Sequence, residues 1–156
     1  MSESKWHQYV RKEYVKKLKM RFSDVFSSHS GYTDLDLFRG ESCRENHFSN
    51  ADIIVLNDKE KVKKIIEIES ALNPKKIFGI VLATHFSTLC RVKKVGDAKT
   101  EKQNYPLKNI ELEIVYKKPK DKAKGTEKIK IIEKLADSLI NSSTGCVRKL
   151  NIEEHV

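Results

Sequence analysis

Two glutamates stand in the middle of an isoleucine-rich segment, where charged side chains are least expected. The run Ile65-Ile66-Glu67-Ile68-Glu69 is typical of a β-strand, because β-branched residues favour strands. Side chains two residues apart in a strand point to the same face, so Glu67 and Glu69 lie side by side. Like charges on a buried face repel each other, and a bound divalent cation would offset that repulsion. In the alternative, this face of the sheet contacts water and both glutamates are solvated.

A third carboxylate comes from the preceding strand. Asp52 opens the apolar segment Ile53-Ile54-Val55, and polar turn residues at 57–60 separate this segment from the glutamate-bearing strand. We therefore expect a hairpin that brings Asp52 towards Glu67. Mg²⁺ prefers hard oxygen ligands and retains several waters, so a few carboxylates suffice to hold it, and Mn²⁺ could replace it. The predicted metal ligands are Asp52, Glu67, the carbonyl oxygen of Ile68, and Glu69.

Three further residues are candidates for the same site. Glu13 lies among apolar neighbours on the first predicted helix, although a glutamate at the edge of such a stripe can also reach water. Lys75 and Lys76 begin the helix that follows the acidic strand, and one of them could reach back to the carboxylates. Alternatively they are a surface pair, although the start of a helix electrostatically favours anions.

These groups suit the hydrolysis of a phosphodiester bond. That reaction needs an activated water, a neutralised phosphate and a stabilised leaving oxygen, and divalent metal ions supply all three. Glu69 could orient the attacking water, accept its proton or hold a second ion. The catalytic candidates are Asp52, Glu67, Glu69, Lys75, Lys76 and Glu13.

The hydrophobic pattern predicts the elements that must position these residues. We expect helices at 5–26, 73–91 and 126–140, strands at 32–41, 51–56, 62–70 and 109–116, and loops at 42–50, 93–108 and 117–125. The order α-β-β-β-α-β-α predicts an α/β fold, a central mixed sheet flanked by helices. The middle helix is apolar on most sides, so it should be buried and should connect parallel strands.

Length and composition favour one domain over residues 1–156. Lys and Arg total 31 against 22 Asp and Glu, a formal net charge of +9. Such an excess favours DNA, RNA or another polyanion as partner, or else serves as a solubilising surface. The longest apolar run, 77–83, is too short to span a bilayer, and no signal-peptide pattern opens the chain. Three cysteines without close spacing predict neither disulfides nor a zinc site, so we expect a soluble cytoplasmic protein without membrane association.

The element order, with Asp52 and Glu67-Ile68-Glu69, resembles the PD-(D/E)XK nuclease superfamily over residues 5–140. The resemblance implies a restriction-endonuclease-like fold and Mg²⁺-dependent cleavage of DNA. Asp52 and Glu67 match the two acidic residues of the motif, and family members often place an acid where Glu13 stands. The motif lysine falls at Glu69 and its proline at Ala51; a minority of restriction enzymes also have glutamate at the lysine position.

The sequence thus predicts a Mg²⁺-dependent DNA endonuclease, with RNA the less expected target. Because 156 residues leave little room for a separate recognition domain, we expect a homodimer or a partner subunit. One alternative is a non-catalytic nucleic-acid-binding protein with the same fold. Another is an interaction protein whose acidic strand is solvated, which would require Glu67 and Glu69 to face open water.

Overall fold

The computed structural model describes residues 4–29 and 32–155. The elements along these residues are α1 (Lys5–Lys19), β1 (Val25–Ser27), β2 (Thr33–Phe38), a 3₁₀ turn (Arg44–Asn46), β3 (His47–Asn50), β4 (Ile53–Leu56), β5 (Val62–Glu69), α2 (Pro74–His85), β6 (Leu89–Val95), β7 (Thr100–Pro106), β8 (Ile110–Lys117), α3 (Lys122–Ser142) and β9 (Val147–His155). The chain is therefore a mixed α/β protein with more strands than the predicted order contained.

A five-stranded mixed sheet carries the acidic strand at its centre. Its strand order is β1-β4-β5-β8-β9, with β1, β4 and β5 antiparallel and β5, β8 and β9 parallel. The predicted hairpin of β4 and β5 is confirmed, with Ile53 opposite Ile66. The parallel pairing of β5 with β8, across a connection that contains α2, is also confirmed. Both faces of β5 are covered, which is why isoleucine fills the strand on both sides.

A second, antiparallel sheet of order β3-β2-β6-β7 was not predicted. The predicted charged loop at 93–108 is instead the end of β6 and all of β7, and the predicted loop at 42–50 contains β3. Six of the seven residues of β7 are exposed, and Tyr105 is its buried residue. A strand with two wet sides has no apolar alternation, so its polar residues looked like a loop.

The helices cover opposite faces of the first sheet. On one face Val10 of α1 joins an apolar cluster with residues of β4, β5 and β8, namely Ile53, Val55, Ile66, Ile68 and Val115. On the other face α2 and α3 pack into a larger core that also contains the second sheet, with Ile54, Ile65, Ile77, Val81, Ile132, Leu35 and Val92 among its members. Side chains 65, 67 and 69 of β5 consequently point towards α2.

Two helices end earlier than predicted. Helix α1 ends at Lys19 rather than at residue 26, because Val25 and Phe26 pair with β4 as strand β1. Helix α2 ends at His85 rather than at residue 91, because Leu89 starts β6. Helix α2 is also not buried on all sides, since Leu82 is 49% exposed while Ile77 and Val81 are buried. None of the helices in the described part of the chain is long and apolar enough to cross a membrane.

Strand β9 lies at the edge of the first sheet, parallel to β8, in a segment where no element was predicted. Helix α3 connects β8 to β9, and it begins at Lys122 within the segment predicted as a linker. Asp121 caps this helix, since its Oδ1 accepts a hydrogen bond from the Lys124 amide at 3.2 Å.

Candidate active site

The β4–β5 hairpin brings the three predicted carboxylates together on the face that carries α2. Asp52 immediately precedes β4, and the register that sets Ile53 opposite Ile66 carries Asp52 towards Glu67. Glu67 and Glu69 share one face of β5 because their neighbours Ile66 and Ile68 pack against α1 on the other. Glu67 is 5% and Glu69 6% exposed, so the solvated-strand alternative is wrong.

Asp52 is held in place from two directions. The backbone amide of Ile68 donates to its Oδ2 at 2.8 Å, which locks the side chain across the hairpin. Its Oδ1 lies 3.0 Å from Nε2 of His7 in α1. A carboxylate that accepts hydrogen bonds from both a strand and a helix has a defined orientation, which a metal ligand or a catalytic group requires.

His7 was missed by the sequence reasoning. It lies three residues before Val10 and seven before Tyr14, so it belongs to the buried stripe of α1. A histidine on the buried stripe of a helix could have marked His7 as a candidate site residue. Helical spacing alone, however, does not show which side chain of another element it contacts.

Glu67 is the most unusual group of the cluster. Its Oε1 is buried and has no hydrogen-bond partner in the described structure. Burial raises the pKa of Glu67 well above its ordinary value, and the charge of Asp52, a hydrogen bond shared with Asp52, and the charge of Glu69 raise it further. Nearby Lys76 acts in the opposite direction. A buried carboxyl group with an orphaned oxygen is poised to exchange a proton for a cation.

Glu69 pairs with the first turn of α2. Lys76 Nζ lies 2.8 Å from Glu69 Oε2, and the Lys76 side chain is 60% exposed. Hydrogen bonding to Glu69, together with the negative charges of the cluster, raises the pKa of Lys76. Asn73 fixes this turn, because its side-chain oxygen accepts a hydrogen bond from the Lys76 amide at 3.3 Å.

The other predicted site residues lie elsewhere. Lys75 is exposed in a groove between β3 and α2. Glu13 lies farther along α1, away from the carboxylates. Its Oε1 is 3.4 Å from Lys17 Nζ and also 3.4 Å from His155 Nε2. Helix α1 thus contributes His7, rather than Glu13, to the carboxylate cluster. Ile68 contacts Asp52 through its amide, and a ligand role for its carbonyl oxygen stays a prediction.

The donor set suits Mg²⁺ chemically, although the side chains are not arranged around an ion. No group of three or more His, Cys, Asp or Glu side chains in residues 4–29 and 32–155 is placed to hold a metal ion. The reason is local: Asp52 is engaged by His7 and Ile68, and Glu69 by Lys76. Three buried or half-buried carboxylates and the orphaned Glu67 oxygen are nevertheless the hard donors that Mg²⁺ and Mn²⁺ prefer.

A second pair of carboxylates lies on the opposite face of the sheet and was also missed. Burial raises the pKa of Glu113 to about 7, assisted by a hydrogen bond with Glu153. Lys64 Nζ is 3.2 Å from Glu113, and the Tyr14 hydroxyl donates to Glu153 at 3.0 Å. Because Lys64 and Tyr14 bond to the carboxylate oxygens of this pair, the four residues form a structural network between α1 and the sheet.

His85 links three elements at the far end of α2. Its Nδ1 accepts a hydrogen bond from the Val147 amide at 3.2 Å, and its Nε2 is 3.1 Å from the Ser143 hydroxyl. Burial lowers the pKa of His85, which favours the neutral ring that can accept from the amide. This histidine therefore serves packing and is separate from the acidic cluster.

Comparisons with protein-family models, with curated proteins and with solved structures find no match to this chain.

Proposed function

We propose that the protein is a Mg²⁺-dependent endonuclease that hydrolyses phosphodiester bonds in DNA. The observation that carries the proposal is the convergence of Asp52, Glu67 and Glu69 with Lys76 at the carboxyl end of the central strand. Burying like charges destabilises a fold, and apolar residues in their place would be more stable. A cluster that opposes folding and raises the pKa of Glu67 and of Lys76 is best explained by chemistry.

A restriction-endonuclease-like fold is part of this proposal. Apart from the second sheet, the chain runs through α1, the antiparallel strands β1, β4 and β5, then α2, and then the parallel strand β8. That is the order α-β-β-β-α-β of the resemblance to the PD-(D/E)XK superfamily, except that β1 takes the place of the strand predicted at 32–41, which lies in the second sheet as β2. Strands β2–β3 and β6–β7 enter this order as two insertions that pair with each other, which supports a common core with an added sheet.

Each residue of the cluster has a role in the proposed reaction. Asp52, Glu67, Glu69 and the Ile68 carbonyl oxygen would hold Mg²⁺ or Mn²⁺, which supplies an acidified water and neutralises phosphate charge. Glu67 would have to lose its proton to solvent to act as a ligand, and His7 keeps Asp52 oriented. Glu69 accepts the proton of the attacking water. Lys76 donates to a phosphate oxygen and stabilises the negative charge of the transition state.

A non-catalytic nucleic-acid-binding protein with this fold is the second candidate. The observation in its favour is that two of the three carboxylates are satisfied within the protein: His7 and Ile68 engage Asp52, and Lys76 neutralises Glu69. In that case the basic surface would bind DNA and the cluster would serve only packing.

Cleavage assays separate the two candidates. Plasmid and branched DNA are incubated with the full-length protein in Mg²⁺, in Mn²⁺ and in EDTA, alongside Asp52→Asn and Glu67→Gln. The nuclease proposal expects metal-dependent cleavage by the wild type and none by either variant, with all three proteins folded. Cleavage by a variant at the wild-type rate would remove the proposed site. DNA binding without any cleavage in either metal would favour the second candidate.

Cutting both strands of a duplex calls for two active sites, so we include a homodimer or a partner subunit in the proposal. Sedimentation of the protein with and without DNA tests this part. A monomer on DNA that still cuts both strands would contradict it.

A further inference from the structure

A lysine-rich groove adjoins the carboxyl end of the acidic strand. It encloses about 480 Å³ and is bordered by Ser70, which directly follows Glu69. Its five lysines come from the end of β8 and the start of α3: Lys117, Lys118, Lys120, Lys124 and Lys128. One carboxylate, Asp121, also lines it, but one of its oxygens caps α3. The groove therefore has the charge to bind a run of phosphates.

Crowding of Lys118 by Lys122, a lysine that does not line this groove, adds to this argument. The side chains of Lys118 and Lys122 approach each other closely, and their mutual interaction lowers the pKa of Lys118. Like charges that are held together on a surface repel, and a bound polyanion removes the repulsion.

A second groove leads away from the same site on the other side of α2's first turn. It encloses about 410 Å³ between β3 and α2, and both Lys75 and Lys76 line it. Because Lys76 also touches Glu69, this groove adjoins the acidic cluster. Phe48 lies at its border on the edge strand β3, where the residue is 45% exposed. An exposed ring beside two ammonium groups offers a stacking surface next to phosphate-binding charges.

Helix α2 presents a flat surface to the second groove. Gly79 lies in mid-helix, and a Cβ atom added there would meet nothing within 4 Å. Glycine weakens a helix interior, and no contact with the described residues requires it at this position. Ala83, one turn later, lines the same groove, so a ligand can approach the backbone of α2 closely.

We infer that the DNA strand to be cut runs from the lysine-rich groove past Glu69 into the second groove, where an unpaired base stacks on Phe48. The inference rests on the proposed nuclease function and adds a substrate class, DNA with an unpaired nucleotide beside the scissile phosphate. The faces of bases within a continuous duplex are covered by their neighbours, so only an unpaired base can stack on Phe48.

Binding measured in EDTA tests the inference independently of cleavage. Fluorescein-labelled single strand, the matching duplex and a duplex with a single-stranded flap are titrated with full-length protein and followed by anisotropy. We expect the wild type to prefer the flap and the single strand over the duplex. Phe48→Ala should lose affinity for the flap by about tenfold or more, with affinity for duplex unchanged within about twofold. Phe48→Trp should retain the preference.

Two further variants distinguish a binding role from a structural one. Gly79→Gln fills the groove and should weaken flap binding, while Gly79→Ala should raise the melting temperature by about 1–4 °C. Tyr32→Ala is the matched control, because Tyr32 is another exposed aromatic residue. It precedes the first residue of β2, whereas β3, which carries Phe48, pairs with the last residues of that strand. Tyr32→Ala should leave both affinities unchanged.

Equal binding of flap and duplex by the wild type, or unchanged flap binding by Phe48→Ala, overturns the inference. Metal-dependent cleavage in the companion assay would leave the proposed nuclease function standing in either case. A wild-type protein that binds none of the three DNA probes in EDTA and cleaves none of them with Mg²⁺ or Mn²⁺ overturns both.

Discussion

The Nζ atom of Lys76 in α2 lies 2.8 Å from Oε2 of Glu69 in β5. In the proposed function Glu69 stands at the motif position of a lysine, and the first turn of the next helix brings Lys76 to the same point. The capping of that turn by Asn73 sets the direction of the helix and hence the reach of Lys76. We propose that Lys76, seven residues later in the chain, supplies from α2 the positive charge that the strand lacks.

Removing Lys76 should impair chemistry more than metal binding. We expect Lys76→Ala to lower the cleavage rate at saturating DNA by about a hundredfold, the scale of losing one transition-state donor. Mn²⁺ affinity, measured by calorimetry, should be retained or increased, because the variant removes a positive charge that competes with the metal ion for the three carboxylates. Lys75→Ala is the control: it should weaken DNA binding but keep the rate at saturation. Equal rates for both variants would show that Lys76 takes no part in chemistry.

Neutralising Glu67 should stabilise the metal-free protein. Its pKa is raised in the folded state, so the stabilising proton is present at low pH and lost as pH rises through the folded pKa. The advantage of Glu67→Gln over wild type should therefore grow with pH, reaching about 1–3 kcal/mol. Thermal unfolding in EDTA across a pH series measures this, with each kcal/mol worth about 2–4 °C.

Glu113→Gln is the matched control for that experiment, since Glu113 lies on the opposite face of the same sheet. Its pKa is raised to about 7, so the stability gain of Glu113→Gln over wild type should build up as pH rises towards that value and level off above it. Cleavage should persist in Glu113→Gln and vanish in Glu67→Gln. A Glu67→Gln advantage that shrinks as pH rises would contradict the buried, protonated carboxyl group.

His7 should act as a positioning residue for Asp52. Losing its contact at 3.0 Å removes the link between Asp52 and α1, so His7→Ala should lower cleavage and metal affinity by about 10–100-fold. His7→Gln, which retains a side-chain donor, should recover part of the activity. If His7→Ala and His7→Gln lose only stability and both keep wild-type metal affinity, the contact is merely structural.

Gly145 should tolerate no side chain. A Cβ atom there would overlap the His85 carbonyl oxygen and ring, and the Cys146 amide donates to that carbonyl oxygen at 2.8 Å. Gly145→Ala should therefore destabilise the fold by about 1–3 kcal/mol in denaturant unfolding. Gly79→Ala, with open space around it, is the control of opposite sign. A neutral Gly145→Ala would mean that the α3–β9 connection can shift away from α2.

The lysine-rich groove should dominate the salt dependence of DNA binding. Each phosphate contact contributes about 0.9 to the slope of log affinity against log salt. The double variant Lys118→Glu with Lys120→Glu should weaken binding to all sequences alike. It should reduce the magnitude of this slope by about 1.8, the contribution of two phosphate contacts. Lys59→Glu with Lys61→Glu changes the net charge equally at the opposite end of β5 and should have a smaller effect. Equal effects of the two pairs would remove the groove from the DNA path.

Part of the fold could be predicted because, in some elements, the periodicity of the apolar residues identifies the buried face. The isoleucine-rich strands β4 and β5, the alternating strand β8 and the three helices belong to this class. The second sheet could not be predicted, since a strand such as β7 is polar on both sides and is defined only by pairing with β6. The edge strand β9 depends in the same way on its neighbour β8.

The sequence by itself determined that Glu67 and Glu69 share a face, because the period of a strand is a local property. It also determined that Asp52 lies near them, because a short turn leaves two adjacent strands little alternative to a hairpin. Only the tertiary structure decided which side chains from the helices join them. Glu13 and His7 both belong to α1, but the packing of that helix on the sheet directs His7 to Asp52 and Glu13 to His155. The choice of Lys76 over Lys75 likewise follows from the rotation of α2 about its axis, which is set by the burial of Ile77 and Val81.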